Sequence, residues 1–282
     1  MRRIAHISDL HFSTEEPQIA EGLLADLARQ TCQLVVVSGD LTQRARTHEF
    51  VAARAYLDRI ALPQVVVPGN HDIPLYNVFA RFFLPLAGYC RYITEDLTPT
   101  FDDAELAVAG VNTARSNTWK DGRISAEQVE QLRSYFAARA PEGLKILVAH
   151  HPFIPPTSEP SAALVGGAAH ALRTLESVGC SLILDGHLHH AYVGDAKVHH
   201  VEMKRSTLVI QAGTAISHRR RDEANAYNLL TVDGPKLDVE VRAWNGAEFA
   251  CVGTSRFEQT DSGWISLSSQ PKPPIDPLPG SR

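Results

Sequence analysis

Short apolar runs alternate with amphipathic stretches through the first two thirds of the chain. The runs are three to six residues long and mostly β-branched or leucine-rich, which is typical of buried strands. Between them, apolar residues recur every three or four positions, as on one face of a helix. The pattern predicts strands at residues 4–7, 34–37, 64–67, 106–111, 146–149 and 182–184, and helices near 18–27, 50–60, 126–136 and 168–178.

The pattern changes after residue 190. Strand-like runs at 198–201, 207–211, 227–232 and 237–241 follow one another without a predicted helix, which favours an antiparallel C-terminal third. The last segment, residues 266–282, contains five prolines. Such a composition predicts an extended, flexible tail rather than a packed element. We therefore expect one domain over residues 1–265.

Composition and charge exclude several classes of protein. The 282 residues are 44% hydrophobic and 21% charged, with a net charge of −5, so a broad basic surface for nucleic acid is not expected. Met1-Arg2-Arg3 leads directly into a predicted strand, and no apolar run approaches the ~18 residues of a membrane span. Neither a signal peptide nor a spanning helix is predicted, and we expect a cytoplasmic protein.

Candidate metal ligands follow five of the predicted strands. Loops at the carboxyl ends of strands are where α/β folds gather their ligands. Carboxylate, amide and imidazole groups together suit divalent metal ions. The five segments are Asp9-Leu10-His11, Gly39-Asp40, Gly69-Asn70-His71-Asp72, His150-His151-Pro152 and Gly186-His187-Leu188-His189.

The set is large enough for two metal ions. Two divalent ions about 3.5–4 Å apart can bind a phosphate and activate a water molecule. Asp40 is the natural bridge because a carboxylate has one oxygen for each ion. Asp9 and His11 would chelate the first ion, and the remaining ligands would be the neutral side chains of Asn70, His150, His187 and His189.

Charge and sequence context indicate the roles of the residues beside the ligands. Two divalent ions bring about +4 and the two aspartates about −2, which leaves positive charge for a phosphate. His71 follows Asn70 directly and can face the substrate instead of the metal. We expect it to stabilise the transition state and to protonate or hydrogen-bond the leaving oxygen. Asp72 would support the ligands.

In this order, the motifs D-x-H, G-D, G-N-H-D, H-x-P and G-H-x-H resemble those of the calcineurin-like metallophosphoesterase superfamily, over about residues 3–215. The resemblance implies an α/β fold, a four-layer α/β/β/α sandwich, with two divalent ions (iron, manganese or zinc) at one edge. It also implies in-line attack by a metal-bridging hydroxide. The ligand roles fall on Asp9, His11, Asp40, Asn70, His150, His187 and His189, and the catalytic histidine on His71.

One difference from the motifs of this superfamily indicates which of its branches the chain resembles. Protein phosphatases continue G-D as G-D-x-V-D-R-G, whereas Gly39-Asp40 continues as Leu41-Thr42-Gln43-Arg44. The chain looks instead like the small bacterial branch of cyclic-nucleotide and glycerophosphodiester phosphodiesterases. Asn112, Arg115 and Arg219 lie in segments that also look like that branch. With His151, which is next to a candidate ligand, they are further candidates to support the ligands or contact the substrate. The simpler interpretation of the run 219–221 is a solvated basic turn, and the functional one is an anion contact at the rim of the pocket.

The sequence predicts a phosphodiesterase acting on small phosphodiesters, with 3′,5′-cyclic nucleotides as the first guess. An alternative is a pyrophosphatase or diesterase acting on a nucleotide-linked lipid such as UDP-diacylglucosamine, which an exposed apolar segment near residues 75–86 would favour. A different class is a catalytically silent interaction module on the same fold, and a nuclease is a further possibility that the acidic charge disfavours. The metals, the exact substrate and the oligomeric state stay open, although a homo-oligomer fits the C-terminal strands.

Overall fold

Two β-sheets pack face to face, with helices on both outer sides. A computed structural model describes residues 1–118, 120–140, 143–157, 159–200, 202–220 and 223–269. The elements in these residues are β1 (Arg2–Ile7), α1 (Pro17–Arg29), β2 (Leu34–Ser38), α2 (Thr47–Leu57), β3 (Gln64–Val67), α3 (Val78–Phe83), α4 (Ala87–Tyr92), β4 (Thr100–Asp102), β5 (Leu106–Gly110), α5 (Ala126–Ala137), β6 (Leu144–Val148), α6 (Ala168–Ser177), β7 (Cys180–Asp185), β8 (Tyr192–Asp195), α7 (Ala196–His199), β9 (Leu208–Gln211), β10 (Ala226–Asp233), β11 (Lys236–Trp244), β12 (Phe249–Thr260) and β13 (Gly263–Ser269).

The sheet topology brings the carboxyl ends of several strands together. One sheet has the order β13-β12-β11-β10-β1-β2-β3 and the other the order β4-β5-β6-β7-β9-β8. Strands β1, β2 and β3 are parallel, as are β5, β6, β7 and β9. Parallel strands end at the same edge of a sheet, so the loops after β1, β2, β3, β6 and β7 meet at one end of the sandwich.

Three apolar layers hold the sandwich together. The middle layer lies between the sheets and contains residues of both, such as Val36 and Ile146. On one side, α1 buries Leu23 against the first sheet. On the other, α5 and α6 bury Leu132 and Leu172 against the second. The predicted four-layer α/β/β/α architecture is confirmed.

Most predicted elements form close to their expected bounds. The predicted capping box of α5 is present, because Ser125 Oγ accepts from the Gln128 amide and Gln128 Oε1 accepts from the Ser125 amide. Helix α2 begins and ends three residues earlier than expected, at Thr47 and Leu57, although Ile60 is still buried. None of the described helices has the length and apolar character to cross a bilayer.

The C-terminal third departs from the prediction in three ways. The strand expected at 198–201 is wrong, because Ala196–His199 is a short helix that Asp195 caps by accepting from the Lys197 amide. Strand β9 pairs parallel to β7 in the second sheet, so the region is only partly antiparallel. Strand β13 runs to Ser269, so residues 266–269 belong to the sheet. The rest of the expected tail, residues 270–282, lies outside the described residues.

Candidate metal centre

The predicted ligands converge where the five strand ends meet. Among the described residues, their imidazole and carboxylate donor atoms, together with those of His71 and His151, form four overlapping groups of three, each with all atoms within 4.8 Å of one another. Asp9 and Asp40 each belong to two of these groups, and so do His11 and His150. The groups are Asp9-His11-His189, Asp9-Asp40-His150, His11-Asp40-His71 and His150-His151-His187.

The backbone of the centre is strained. Among the described residues, eight that are not glycine have a positive φ, a conformation that side chains disfavour. Five of the eight are predicted ligands: Asp9, His11, Asp40, His187 and His189. Such conformations persist only where the surrounding structure enforces them, and they cluster at functional sites.

Two glycines allow the ligand loops to approach closely. Gly39 has φ of +93°, and a Cβ there would lie 2.6 Å from His150 Nδ1. A Cβ on Gly186 would lie 2.0 Å from Ser8 Oγ and 2.8 Å from Asp9 Oδ2. Both contacts are closer than real Cβ atoms make, so a larger residue would displace the ligand loops.

The first half of the centre is formed by Asp9, His11 and His189. His11 Nε2 lies 3.6 Å from Asp9 Oδ1 and 3.7 Å from Asp40 Oδ2, and His189 Nδ1 lies 3.7 Å from Asp9 Oδ1. Asp9 Oδ1 and both ring nitrogens of His11 are buried and have no hydrogen-bond partner among the described residues. Buried polar atoms are normally paired. Their grouping fits a bound cation.

The second half surrounds His150. Its Nε2 lies 3.2 Å from Asn70 Oδ1, 3.2 Å from His187 Nδ1 and 3.4 Å from Asp40 Oδ1. Its Nδ1 donates to the Ser38 carbonyl at 2.7 Å, so in the neutral ring Nε2 carries the lone pair. Acceptor atoms therefore face one another across a few ångströms, which favours a positive charge between them. This donor set also fits a divalent metal ion.

Outer hydrogen bonds orient the ligands. Ser8 Oγ donates to Asp9 Oδ2 at 2.7 Å. Thr214 Oγ1 donates to the Arg219 carbonyl and lies 2.7 Å from His189 Nδ1, so it accepts from that nitrogen and leaves His189 Nε2 with the lone pair. Such partners fix ring orientation and raise metal affinity. Sequence reasoning missed Ser8, Ser38 and Thr214, because no spacing rule connects them to the ligands.

The electrostatics keep Asp40 ionised and His187 and His189 neutral, whereas they favour the charged form of His150. Burial alone would raise the pKa of Asp40, but His150 and His71 hold it well below its usual range. Burial lowers the pKa of His187 to about 3 and that of His189 to about 4. Burial also opposes charge on His150, yet Asp40 raises the pKa of that imidazole to about 9. Ionised carboxylates and neutral imidazoles are the forms that bind metal.

His71 faces a cavity beside the centre. Its Nδ1 donates to the Gln43 carbonyl at 2.9 Å, and its Nε2 accepts from Arg219 Nη1 at 3.0 Å. The cavity is lined by these residues together with Arg44, Asn70, Ile73, Leu75 and Lys120. Three of the lining side chains are cationic, and none of the described ones is a carboxylate. Arg219, which we expected at the rim of the site, is one of the residues that line this cavity.

The other candidates lie around the ligands. Asp72 is buried and accepts from the amides of Gly69, Leu41 and Thr42, so it ties the loops after β2 and β3 together. His151 is buried, with Nδ1 2.7 Å from Thr113 Oγ1 and its ring 4.9 Å from that of His187.

The segment with Asn112 and Arg115 contacts this centre only indirectly. Asn112 Oδ1 accepts from the Ala114 amide, and Arg115 donates to the Asn112 carbonyl and to Gln128. The guanidinium of Arg115 is therefore engaged within its own loop and with α5. Thr113, between them, makes the contact to His151.

A β-sandwich with Asp, His and Asn side chains gathered at its edge, several of them on backbone of positive φ, forms a candidate metal centre. Residues 2–191 match the family described as calcineurin-like phosphoesterase, and the chain belongs to that family. The expected class, a metal-dependent phosphoric ester hydrolase, is thereby confirmed.

Curated relatives are similar at low identity. A probable cyclic nucleotide phosphodiesterase of Rhodococcus erythropolis is 27% identical, covering 81% of this chain and 79% of that protein. A cAMP/cGMP dual specificity phosphodiesterase of Mycobacterium tuberculosis is 25% identical, covering 97% and 95%. A glycerophosphodiester phosphodiesterase of Enterobacter lignolyticus is 26% identical over 54% of this chain, and the match spans only 57% of that protein.

Solved structures support the fold. PhoD superposes with a TM-score of 0.72 at 12% identity, covering 98% of this chain and 73% of PhoD. A dimetal phosphatase from Danio rerio superposes with a TM-score of 0.65 at 13% identity, covering 89% and 98%. At this identity, the likeness establishes the architecture alone.

Proposed function

We propose that the protein is a dinuclear-metal-dependent phosphodiesterase that hydrolyses small phosphodiesters, with 3′,5′-cyclic nucleotides as the first candidates. The observation that carries the proposal is the pair of ligand groups that meet at Asp40. One Asp40 oxygen faces His11 at 3.7 Å, and the other faces His150 at 3.4 Å. A carboxylate with one oxygen toward each group can hold two cations at once.

The ligand shells divide around this bridge. Asp9, His11 and His189 would hold one ion, because they form one group of donors. Asn70, His150 and His187 would hold the other, because Asn70 Oδ1 and His187 Nδ1 both lie 3.2 Å from His150 Nε2. A pair of divalent ions in such a site supplies Lewis-acid polarisation of the phosphoryl oxygens and a nucleophile at neutral pH. The chain's own contribution is to fix the ligands in strained, buried positions and to keep protons off their donor atoms.

Charge supports an anionic substrate. The ligands contribute about −2 against about +4 from two divalent ions, so the centre retains positive charge. Arg44, Lys120 and Arg219 line the adjoining cavity and extend this charge toward solvent. A phosphodiester carries one negative charge and two substituents, and a basic cavity open on one side accommodates both.

His71 and Arg219 would act on the leaving group. Because His71 Nδ1 donates to the Gln43 carbonyl, Nε2 of the neutral ring accepts and the donor toward the cavity is Arg219. We expect the Arg219 guanidinium to stabilise charge that develops on the leaving oxygen. For His71 to protonate that oxygen, Nε2 must carry a proton and release its bond from Arg219, and burial, which lowers the pKa of His71, opposes this state.

The relatives support a diester over a protein substrate. Two of them are named as cyclic nucleotide phosphodiesterases and match most of this chain. The sequence after Asp40, Leu41-Thr42-Gln43-Arg44, also lacks the second aspartate of the protein phosphatase motif.

A substrate panel on metal-defined protein tests the proposal. The panel contains cyclic AMP, cyclic GMP, bis-p-nitrophenyl phosphate, a glycerophosphodiester and p-nitrophenyl phosphate, each with manganese or iron. We expect diesters to be hydrolysed faster than the monoester, and Asp40→Asn, purified in parallel, to be inactive. Absence of diester hydrolysis with every metal, or equal rates from Asp40→Asn, would refute the proposal.

A second candidate is supported by one feature. Hydrolysis of a nucleotide-linked lipid predicts an exposed apolar segment near residues 75–86, and six large apolar side chains between 76 and 84 are more than half exposed. A side-by-side assay of cyclic AMP and a UDP-linked diacyl sugar separates the two candidates. If only the sugar lipid is hydrolysed, hydrolysis of a nucleotide-linked lipid replaces cyclic-nucleotide hydrolysis as the proposed function.

A further inference from the structure

Helix α3 buries its charged side chain and exposes its apolar ones. Its one charged residue, Arg81, is 3% exposed and donates to the Pro74 and Thr118 carbonyls. Phe79, Phe82 and Phe83 are instead 66%, 54% and 70% exposed. Exposing phenylalanine to water while burying arginine is the reverse of the usual preference. The helix is therefore built to present apolar side chains to something other than water.

The exposed side chains form one surface, which we call the apolar ridge: Tyr76, Val78, Phe79, Phe82, Phe83 and Leu84. The ridge holds six of the eleven large apolar side chains that are exposed in the described part of the chain. The rings of Phe79 and Phe83 stack with centroids 4.8 Å apart. Scattered apolar residues on a surface are ordinary, but a contiguous group of this kind marks an interaction site.

The ridge is also free of negative charge. Residues 73–94 contain two arginines and neither aspartate nor glutamate, in a chain whose net charge is −5. The Arg44 guanidinium lies 5.4 Å from the centroid of the Tyr76 ring. Lys120 and Arg219 line the cavity that Leu75 also lines, directly before the ridge. Aromatic and apolar side chains therefore project beside a group of cations.

We propose that the apolar ridge docks on an anionic lipid bilayer. Interfacial helices bind membranes with phenylalanine and leucine in the acyl boundary and with basic residues near the headgroups. A second copy of the chain fits less well, because a symmetric contact through the ridge would bring like charges such as Arg44 together. Side chains this exposed also do not form a groove that could enclose a single acyl chain.

Docking in this way would hold the catalytic cavity at the membrane surface. The ridge begins five positions after His71, and Ile73 and Leu75 connect the two. The cations of the cavity would then face anionic headgroups or the phosphates of membrane-associated diesters. Docking itself requires no turnover, so it can be tested whether or not the proposed activity is correct.

Vesicle binding provides the test. The full chain is sedimented with phosphatidylcholine vesicles that contain or lack a quarter of phosphatidylglycerol, and the same is done with Phe79→Glu/Phe83→Glu. Ile265→Glu/Leu267→Glu is the matched control, since these two residues are 44% and 51% exposed on β13, away from the cations. Hydrolysis of bis-p-nitrophenyl phosphate and circular dichroism report whether each variant is folded.

We expect the wild type and the β13 variant to bind anionic vesicles, and Phe79→Glu/Phe83→Glu to bind at least about tenfold more weakly. Neutral vesicles should bind less well than anionic ones. Failure of the wild type to bind anionic vesicles, or equal binding by Phe79→Glu/Phe83→Glu, overturns the proposal. So does a concentration-dependent dimer that only the ridge substitutions abolish, because the ridge would then be a contact between copies.

Discussion

Arg219 donates a hydrogen bond from Nη1 to Nε2 of His71 at 3.0 Å, although the two residues are 148 positions apart in the chain. A second bond from the same Nη1 reaches Gln43 Oε1 at 3.2 Å. Gln43 in turn accepts from His71 Nδ1 through its carbonyl. The three residues thus form a small network in which the guanidinium charge is held at the mouth of the metal centre.

Replacing Arg219 should impair catalysis more than replacing its neighbour. We expect Arg219→Gln to lower kcat for a phosphodiester by about a hundredfold, because a donor aimed at developing charge is lost. Arg220→Gln is the matched control, since Arg220 is bound to Asn225 Oδ1 instead of to the site. Steady-state kinetics with saturating metal distinguish them. Equal losses of kcat in both variants would show that residues 219–221 act only through their overall positive charge.

Thr214 should contribute to metal affinity. Thr214→Val conserves shape but removes the acceptor for His189 Nδ1, so manganese affinity should fall about tenfold or more. Thr113→Val removes the equivalent 2.7 Å contact to His151, which we do not place among the ligands. Calorimetric titration of both apoproteins measures the two effects. If Thr113→Val weakens manganese binding as much as Thr214→Val does, His151 is itself a ligand.

Gly186→Ala should disrupt the centre without unfolding the domain. The new Cβ would lie 2.0 Å from Ser8 Oγ, so the donor that orients Asp9 must move. We expect loss of most activity, with a far-ultraviolet circular dichroism spectrum like that of the wild type. Gly166→Ala is the control for substituting a glycine, because Gly166 has no positive φ and a Cβ there would lie no closer than 3.5 Å to its neighbours, an ordinary contact. Full activity in Gly186→Ala would contradict the geometry.

The buried Asp26 should stabilise the fold in a pH-dependent way. Its carboxylate binds Arg242 Nε at 2.7 Å and the Tyr227 hydroxyl at 2.6 Å. Burial opposes its ionisation, but these partners hold the pKa of Asp26 below its usual value. Asp26→Asn leaves the largely buried Arg242 without its nearest counter-charge, with Glu240 at 3.5 Å remaining, which should cost about 3 kcal/mol at pH 7.

The sign of the pH dependence follows from the lowered pKa. The contribution of Asp26 is fully present above its unfolded pKa of about 3.9 and is lost as the pH falls through the lower folded value. Urea unfolding at pH 7 and near pH 3 should therefore give a smaller difference between wild type and Asp26→Asn at the lower pH. Asp58→Asn, at an exposed pair with Arg54, should be near neutral. A difference that grows in acid would refute this assignment.

The ligand loops could be predicted because each follows a recognisable strand. The runs before Asp9, Asp40, Asn70, His150 and His187 are buried, and parallel strands bring their carboxyl ends together. The pairing of Arg219 with His71 could not be predicted, because it depends on where the segment that contains Arg219 comes back to the first sheet. A bridge between Ser8 and Thr214 holds that returning segment beside β1, and nothing local specifies it.

Tertiary context also explains the errors. The run from Val198 to Val201 looks like a strand, but Asp195 caps a helical turn and leaves Val198 74% exposed. At the apolar ridge, the sequence pattern misleads about which side chains are buried. Helical periodicity assumes that apolar residues face the core, so it could not foresee that Arg81 lies inside and Phe79 outside.

A manganese titration of the metal-free protein tests the central claim most directly. Bound ions per chain and hydrolysis of bis-p-nitrophenyl phosphate are followed together in the wild type, in Asp40→Asn and in the surface control Asp58→Asn. A centre bridged by Asp40 predicts about two manganese ions per chain, with activity appearing as the second ion binds. Asp58→Asn should behave as the wild type does, and Asp40→Asn should lose activity and cooperative binding. Full activity with one ion, or an unchanged titration in Asp40→Asn, would contradict the account.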